Sequence, residues 1–508
     1  MPDKITRVAT DVGGTFTDLV YFETDLSSGA QIVRTDKTDT TPPDFEQGVL
    51  RVLDKAGVDV KTLDFLAHGT TVVINALTER KGAKVGLITT KGFRDVLEIG
   101  RGNRPDFFNL KYKKPEPFVE RYLRRELAGR VDFKGKEQTA LDLAALPAIV
   151  ADFQAEGVTA VAICFIHAYA NPSHEEAALA ELRRLWPEVT AVASHQITRE
   201  WREYERSSTT ILSAYVQPAA QRYLERLEQG LRDKGFGGGL YVMQSNCGVD
   251  AIESIKQTPI TMVESGPASG FWGAAELGRL IGEQDVLALD IGGTTAKCSL
   301  IKDGNVTIKT DYWIERDGKS AGYPIMVPVV DLVEIGNGGG SIAWVDEFDK
   351  LHVGPKSAGI VRIANSNMVN ALKLVSVNRG YDPRDFTMVV FGGGGPMHGA
   401  ALGQELGVKK VVVPRGAAVF SAWGMLMSDL RRDYFVTQLM DADNHGALTE
   451  LLARTRDRAM ADFVAGNVPE DRVAISTRVR ARYQNQEFAV EVELPTLTPD
   501  AAAMEVLV

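Results

Sequence analysis

Cysteine is scarce in this chain of 508 residues, which has only Cys164, Cys247 and Cys298. Because the three are far apart and odd in number, they argue against a disulfide framework and a zinc site. Free cysteines are typical of a reducing cytosol. No apolar run reaches the roughly 18 residues of a transmembrane helix, and the first residues lack the apolar core of a signal peptide. We therefore expect a cytoplasmic protein that does not span a membrane.

An excess of positive charge is also missing. Lysine and arginine number 57 against 67 acidic residues, a net charge of −10, which argues against broad nucleic-acid binding. Apolar residues make up 44% and charged residues 24%, the ordinary values of a soluble globular protein, which argues against disorder. The chain is too long for one hydrophobic core and is expected to form several domains.

Glycine, by contrast, is abundant, with 48 residues against an average of about 7%. The glycines do not form a flexible linker but occur in clusters at 13–14, 292–293, 338–340 and 392–395. Strand and helix patterns alternate between these clusters, which predicts an α/β fold with partly parallel sheets.

Two of the clusters belong to an internal repeat. Asp-Val-Gly-Gly-Thr at 11–15 and Asp-Ile-Gly-Gly-Thr at 290–294 each follow an apolar strand and precede a second strand. One copy alone would also fit a plain hairpin, but two copies favour phosphate-binding turns, since glycine lets backbone N–H groups approach a phosphate closely. Asp11 and Asp290 are predicted to hold Mg²⁺ through water. The predicted phosphate-binding residues are Gly13, Gly14, Thr15, Gly292, Gly293 and Thr294.

A third cluster, Gly392, Gly393, Gly394 and Gly395, separates a predicted strand from a predicted helix. Such a junction suits a nucleotide because a helix N-terminus favours negative charge; the alternative is a tight strand-to-helix connection. The cluster matches neither the dinucleotide-binding pattern nor the Gly-Lys-Ser/Thr phosphate loop. We expect it to flank the adenosine of ATP.

Two such turns followed by a strand–glycines–helix junction are the layout of the actin/sugar-kinase/heat-shock-chaperone ATPases. The chain resembles one family among them, the A-type subunit of the hydantoinase/oxoprolinase family. The segments that carry the resemblance are 11–18, 68–77, 86–101, 264–270, 290–295, 336–341, 353–359 and 391–398. After Gly359 the chain departs from the family, since a stretch of many tens of residues is missing there, and its C-terminus also stops short of the family's usual end.

The resemblance implies duplicated RNase H-like halves with an inserted or appended smaller domain. The predicted domains are 1–195, 196–435 and an incomplete 436–508. It implies ATP and Mg²⁺ as cofactors, phosphorylation of a carbonyl or enolate oxygen of a cyclic amide (hydantoin or oxoproline type) that leads to ring opening, and a separate B-type subunit in a hetero-oligomer. Two alternatives stay open: the ATPase subunit of an acetophenone-type ketone carboxylase, and a non-catalytic scaffold subunit.

Five further residues are candidates for substrate or catalytic roles. His68 and Asn75 follow the first turn in the sequence, although a lone histidine is more often structural. Arg101 and Arg104 lie with Phe107, Phe108 and Tyr112 in a proline-rich segment that suits a carbonyl-bearing substrate or a subunit interface. Glu334 precedes the cluster at 338–340 and is a candidate for the metal or substrate, or a strand-end carboxylate in water.

Overall fold

A computed structural model describes residues 4–102, 105–293, 295–336, 342–345, 351–354, 361–441, 444–486, 489–494 and 496–499. The chain begins with a three-stranded antiparallel meander, a helix, a parallel strand and a short helix. These elements are β1 (Lys4–Val12), β2 (Phe16–Asp25), β3 (Gln31–Asp39), α1 (Phe45–Lys55), β4 (Phe65–Thr70) and α2 (Val72–Thr78). β1 pairs antiparallel with β2 and parallel with β4.

A second, five-stranded sheet follows in order β7-β6-β5-β8-β9. Its elements are β5 (Val85–Thr90), α3 (Val96–Ile99), β6 (Arg124–Val131), β7 (Glu137–Asp142), α4 (Leu146–Ala155), β8 (Ala160–Cys164), α5 (Ser173–Leu185), β9 (Thr190–Ala193) and α6 (Ser194–Ile197). Every residue of β5 and β8 is buried, as expected for parallel strands covered on both faces. This sheet forms a smaller unit that is inserted between the elements of the first half.

The chain then returns to the first sheet. The elements are α7 (Glu203–Asp233), β10 (Gly239–Met243), β11 (Val249–Ala251), α8 (Ile252–Gln257) and α9 (Ser265–Ile281). β10 pairs parallel with β4, which completes the order β11-β10-β4-β1-β2-β3. The first sheet therefore takes two strands from beyond residue 195, where we placed the first domain boundary, because β4 offers its free edge to β10.

The second half repeats this design. Its strands are β12 (Val286–Ile291), β13 (Ala296–Lys302), β14 (Asn305–Val306), β15 (Ile308–Lys309), β16 (Tyr312–Arg316), β17 (Ala321–Ile325), β18 (Val329–Val330), β19 (Val333–Ile335), β20 (Ile342–Val345), β21 (Leu351–Gly354), β22 (Thr387–Phe391) and β23 (Lys410–Val412). Its helices are α10 (Val361–Val375), α11 (Gly395–Leu406) and α12 (Phe420–Leu426). β12 pairs antiparallel with β13 and parallel with β22, as β1 pairs with β2 and β4. The predicted duplicated α/β halves are confirmed.

Helices α9 and α12 lie between the two halves. α9 contacts β12 of the second sheet and β4 of the first, while α12 contacts β1 and β4. The two helices approach so closely that a Cβ atom on Gly424 would lie 2.0 Å from the carbonyl oxygen of Ser269. This contact fixes the two sheets relative to each other and therefore positions the turns at their edges.

The C-terminal part contains α13 (His445–Ala465) and a hairpin of β24 (Thr477–Ala481) and β25 (Val490–Leu494). Leu448 and Leu494 form its small apolar cluster. All three cysteines are free and buried. In the part of the chain that the structure describes, no helix is long and apolar enough to cross a membrane.

Candidate active site

The two Asp-x-Gly-Gly-Thr segments form the same turn. The amide of Gly13 donates to the carbonyl of Phe16 at 2.9 Å, and the amide of Gly292 donates to the carbonyl of Thr295 at 3.0 Å. A Cβ atom on Gly14 or Gly293 would meet no heavy atom within 4 Å, so one side of each turn is open to a ligand. Thr15 is exposed, and Thr294 lies outside the described residues.

Strand pairing gives each aspartate a different partner. Asp11 lies opposite Asp18 in the β1–β2 hairpin, whereas Asp290 lies opposite Lys297 in the β12–β13 hairpin. The two halves therefore differ in charge at one equivalent position, which is an acid beside the first turn and a base beside the second. Lys37 lies 3.1 Å from Asp18 and offsets part of that charge.

The three aspartates lie close enough to interact electrostatically. Burial, with the charges of Asp18 and Asp290, raises the pKa of Asp11 to about 7. Burial likewise raises the pKa of Asp290 to about 6, opposed by Lys297. Burial raises the pKa of Asp18 to about 6, opposed by Lys37. Oδ1 of Asp11 is buried and has no hydrogen-bond partner among the described residues.

An unpartnered buried carboxylate oxygen beside two further carboxylates fits a hard cation, which prefers oxygen ligands. Asp11 and Asp290, with Asp18, are the residues that would hold Mg²⁺, which commonly keeps several waters and few protein ligands. Within the described residues there is no group of three or more histidine, cysteine, aspartate or glutamate side chains arranged as a direct metal cage.

Glycines lie against both central carboxylates. A Cβ atom on Gly69, which is opposite Asp11 in the β1–β4 pair, would lie 2.8 Å from Oδ1 of Asp11. A Cβ atom on Gly392 would lie 2.3 Å from Oδ1 of Asp290. The third cluster is held in place by the amide of Gly394, which donates to the carbonyl of Ile291 at 2.8 Å. Gly393 has open space and Gly395 begins α11, so this cluster borders the second turn.

A buried ion pair borders the second turn on its other side. Nζ of Lys297 lies 2.5 Å from Glu264 and 3.3 Å from Glu334. Glu264 is fully buried, has a left-handed backbone with φ +60°, and also accepts a hydrogen bond from the hydroxyl of Tyr312 at 2.8 Å. The predicted candidate Glu334 thus contacts the lysine beside Asp290, while its side chain stays 37% exposed.

His68 and Asn75 occupy different surroundings. His68 is opposite Thr10 in β1, and neighbouring strand positions face opposite sides of a sheet. Its fully buried ring contacts Thr10 at 2.9 Å and the hydroxyl of Tyr223 in α7 at 2.6 Å, and burial lowers its pKa to about 3. Asn75, in α2, donates to Thr71 at 3.2 Å, and Thr71 bonds to Val12 beside the first turn.

A cavity of about 290 Å³ lies between α7, residues 97–102 and 105–118, and the β16–β17 hairpin. Arg101 lines it and pairs with Glu205 through two hydrogen bonds of 2.7 Å. Arg104 lies outside the described residues. Phe107 and Phe108 are 74% and 90% exposed and do not line the cavity. Its aromatic lining is instead Tyr112, Phe118, Tyr204, Trp313 and Tyr323.

Sequence reasoning did not select Asp18, Gly69, Glu264 or Lys297. A signal for two of them was present, because Asp18 and Lys297 each follow the repeated aspartate by the same number of residues. Comparing equivalent positions of the repeat would have found both. Gly69 and Glu264 had no such signal, since pairing of distant segments brings them to the aspartates.

Comparison with known proteins gives matches over most of the chain. A family profile described as Hydantoinase/oxoprolinase N-terminal region matches residues 7–185, and one described as Hydantoinase/oxoprolinase matches 206–361 and 358–434. The caprolactamase subunit alpha of Pseudomonas jessenii is 30% identical over 99% of this chain and 82% of its own length. The acetophenone carboxylase gamma subunit of Aromatoleum aromaticum is 29% identical over 85% of this chain and 69% of its own length.

Among solved structures, the ATP-dependent caprolactamase from Pseudomonas jessenii superposes with a TM-score of 0.86 at 30% identity, over 99% of this chain and 83% of the other. The alignment with the caprolactamase subunit runs over 582 positions, more than the 508 residues of this chain. The relative therefore carries segments that this chain lacks. The second family profile is interrupted at residues 358–361, where the departure from the family was noted.

Proposed function

The chain belongs to the hydantoinase/oxoprolinase family, and on this premise we propose that it uses ATP to phosphorylate the carbonyl or enolate oxygen of a cyclic amide, which leads to ring opening. The observation that carries this proposal is the pair of equivalent glycine turns whose buried aspartates, Asp11 and Asp290, interact with each other. Two such turns can bind the phosphates of one nucleotide between the halves.

The glycine turns and the aspartates have different roles in this proposal. The open Gly13–Gly14 and Gly292–Gly293 turns present backbone N–H groups to the phosphates, and the glycines at 392–395 flank the adenosine. Asp11 and Asp290, with Asp18, would hold Mg²⁺, which neutralises phosphate charge when bound. Phosphoryl transfer depends mainly on positioning and on charge stabilisation, so this chain contributes chiefly by orienting ATP and substrate.

The chemical step is a transfer of the γ-phosphoryl group. The substrate oxygen forms a bond to the γ-phosphorus, the bond to the bridging oxygen of ADP breaks, and ADP leaves with that electron pair. Phosphorylation of the amide oxygen makes the carbonyl carbon more electrophilic, so water adds to it, and the C–N bond breaks as the nitrogen leaves with the electron pair and takes up a proton. The acyl phosphate that remains is hydrolysed by a second water to the carboxylate and phosphate. His68, buried behind the sheet, acts by holding β1 and β4 together, whereas Asn75 and Thr71 lie on the side of the first turn.

We also propose that the chain acts as the A-type component of a two-component enzyme with a B-type partner. The names of two relatives, an alpha and a gamma subunit, support this. A ketone substrate activated for carboxylation is the second candidate, favoured by the carboxylase relative and by the aromatic cavity.

The test is a screen for substrate-dependent ADP release, carried out on the chain together with any subunit that co-purifies with it. The substrates are hydantoins, lactams and aryl ketones, and bicarbonate is added with the ketones. We expect ADP release with a cyclic amide and its loss in the Asp11→Ala/Asp290→Ala double variant. Full activity of that variant would refute the proposal. Calorimetry with ATP distinguishes a scaffold subunit, which would bind no nucleotide.

A further inference from the structure

We propose that the cavity between α7, residues 97–102 and 105–118, and the β16–β17 hairpin binds the carbonyl substrate, and that Arg316 makes it favour substrates that carry a carboxylate. The role that we assign to the cavity depends on the proposed function, whereas the chemistry of its lining does not. It has about 290 Å³, near the lower end of the range for small-molecule sites, which suits one small ring.

Strand β16 connects the cavity directly to the second turn. The hydroxyl of Tyr312 donates to Glu264 at 2.8 Å, and Glu264 in turn pairs with Lys297 beside Asp290. The next residue, Trp313, lines the cavity. Strand β16 therefore contacts the ion pair beside the second turn through Tyr312 and the cavity through Trp313.

Helix α2 provides a second connection, to the first turn. The backbone amide of Thr71, the residue just before the helix, donates to the carbonyl of Val12 at 3.1 Å. Beyond its C-terminus, the guanidinium of Arg80 stacks 3.8 Å from the ring centre of Phe118 and 4.7 Å from that of Tyr323, both cavity residues. α2 spans seven residues, about 10 Å. Both turns are thus joined to the cavity wall by one short element each, which suits a substrate that receives phosphate from their nucleotide.

The cavity's charges favour an anion. Of its cations, Arg101 is neutralised by Glu205, and Lys114 is held by backbone carbonyls of Glu98 and Ile99. Arg316 lies over the ring of Trp313 at 4.8 Å and has no ion-pair partner among the residues that the structure describes.

Asp317, the one carboxylate among the described residues of the lining, is engaged in the hairpin turn. Its Oδ1 accepts the amides of Lys319 at 2.6 Å and Ser320 at 2.7 Å. A guanidinium stacked on an aromatic ring is preorganised for a planar carboxylate. Arg316 can therefore bind a substrate carboxylate while the aromatic residues contact the ring.

The experiment compares a five-membered lactam with the same ring bearing a carboxylate, so that the two probes differ only in charge. Binding of each is measured by calorimetry on the full chain with any co-purifying subunit. We expect the carboxylated ring to bind at least about tenfold more tightly than the neutral ring, as a charge-assisted contact allows. Arg316→Gln should remove this preference without weakening the neutral ring, and Arg316→Lys should restore part of it.

Two further variants test the location. Ala321→Phe fills the cavity, which Ala321 lines, and should weaken both lactams while ATP binding is unchanged. Arg183→Gln, on the exposed end of α5, removes an arginine outside the cavity and should change nothing. An unchanged preference in Arg316→Gln, or unchanged binding in Ala321→Phe, overturns the inference, as does wild-type protein that binds neither lactam.

Failure of the proposed function gives a different pattern. The wild type could bind the carboxylated lactam through Arg316 but release no ADP with any substrate. That result would support the cavity and its selectivity and refute the proposed phosphorylation. If ADP release occurs with lactams but is indifferent to Arg316→Gln and Ala321→Phe, the phosphorylation stands and this cavity is not the substrate site.

Discussion

The carboxylate of Asp290 lies directly against the backbone of Gly392. A Cβ atom on Gly392 would lie 2.3 Å from Oδ1 of Asp290 and 2.5 Å from the carbonyl oxygen of Ile291, and its φ of +80° is in the left-handed region. The third glycine cluster therefore forms the wall behind the second turn. Only a residue without a side chain fits there.

Gly392→Ala should therefore displace Asp290. The left-handed backbone alone costs an alanine about 1–2 kcal/mol, and the contact with the carboxylate adds to this. We expect at least about a hundredfold loss of ATP-dependent turnover, equivalent to about 2.7 kcal/mol, measured as ADP release. Gly29→Ala, in the loop between β2 and β3, is the matched control, because its φ of +68° is also left-handed and an added Cβ there meets nothing within 4 Å; equal losses in both variants would contradict this explanation.

Asp18→Asn should shift the acid limb of the pH profile of kcat/KM to lower pH. The charge of Asp18 is one cause of the raised pKa of Asp11, about 7. Without that negative charge Asp11 binds a proton less tightly, so its pKa falls and the ionised form persists to lower pH. We expect a shift of about half a pH unit or more. Asp152→Asn, on α4 of the inserted domain, should leave the profile unchanged, and a shift to higher pH would argue against the coupling.

Lys297→Met should strongly destabilise the protein. It leaves the fully buried Glu264 without its ion-pair partner, and removing one member of a buried pair typically costs about 3–5 kcal/mol. Lys302→Met is the control on the same strand, since Lys302 is 41% exposed and its pair with Asp285 is worth at most about 1 kcal/mol. Urea unfolding followed by circular dichroism measures both, and similar losses would show that Glu264 is solvated.

His68→Ala should reduce stability, and Asn75→Ala should reduce activity. The histidine ring is buried and bonded to Thr10 and Tyr223, so its removal leaves polar groups unsatisfied and costs about 2–4 kcal/mol. Asn75 is only partly buried, and its loss should change the free energy of unfolding by less than about 1 kcal/mol while lowering kcat. Unfolding curves and ADP release separate the two effects; a stable, inactive His68→Ala variant would instead favour a catalytic histidine.

The repeated turns could be predicted because their signal is local. Glycine, aspartate and threonine at fixed spacing after an apolar strand determine the hairpins at 13–16 and 292–295, whose hydrogen bonds are equivalent. The smaller domain and the return of β10 to the first sheet were harder to place. β10 pairs with β4 across more than 160 residues, and no pattern within either strand specifies that partner.

The sequence by itself determined the two equivalent glycine turns, the alternation of strands and helices, and the family, because these depend on residue types at short spacing. The tertiary structure alone decided which face each residue occupies. It placed His68 behind the sheet and Asp18 beside Asp11, set Gly69 and Gly392 against the two carboxylates, and lined the cavity with Trp313 and Arg316 rather than with Phe107 and Phe108. The reason is physical: strand register and helix packing between distant segments fix these positions, and each is set by burial of the whole core.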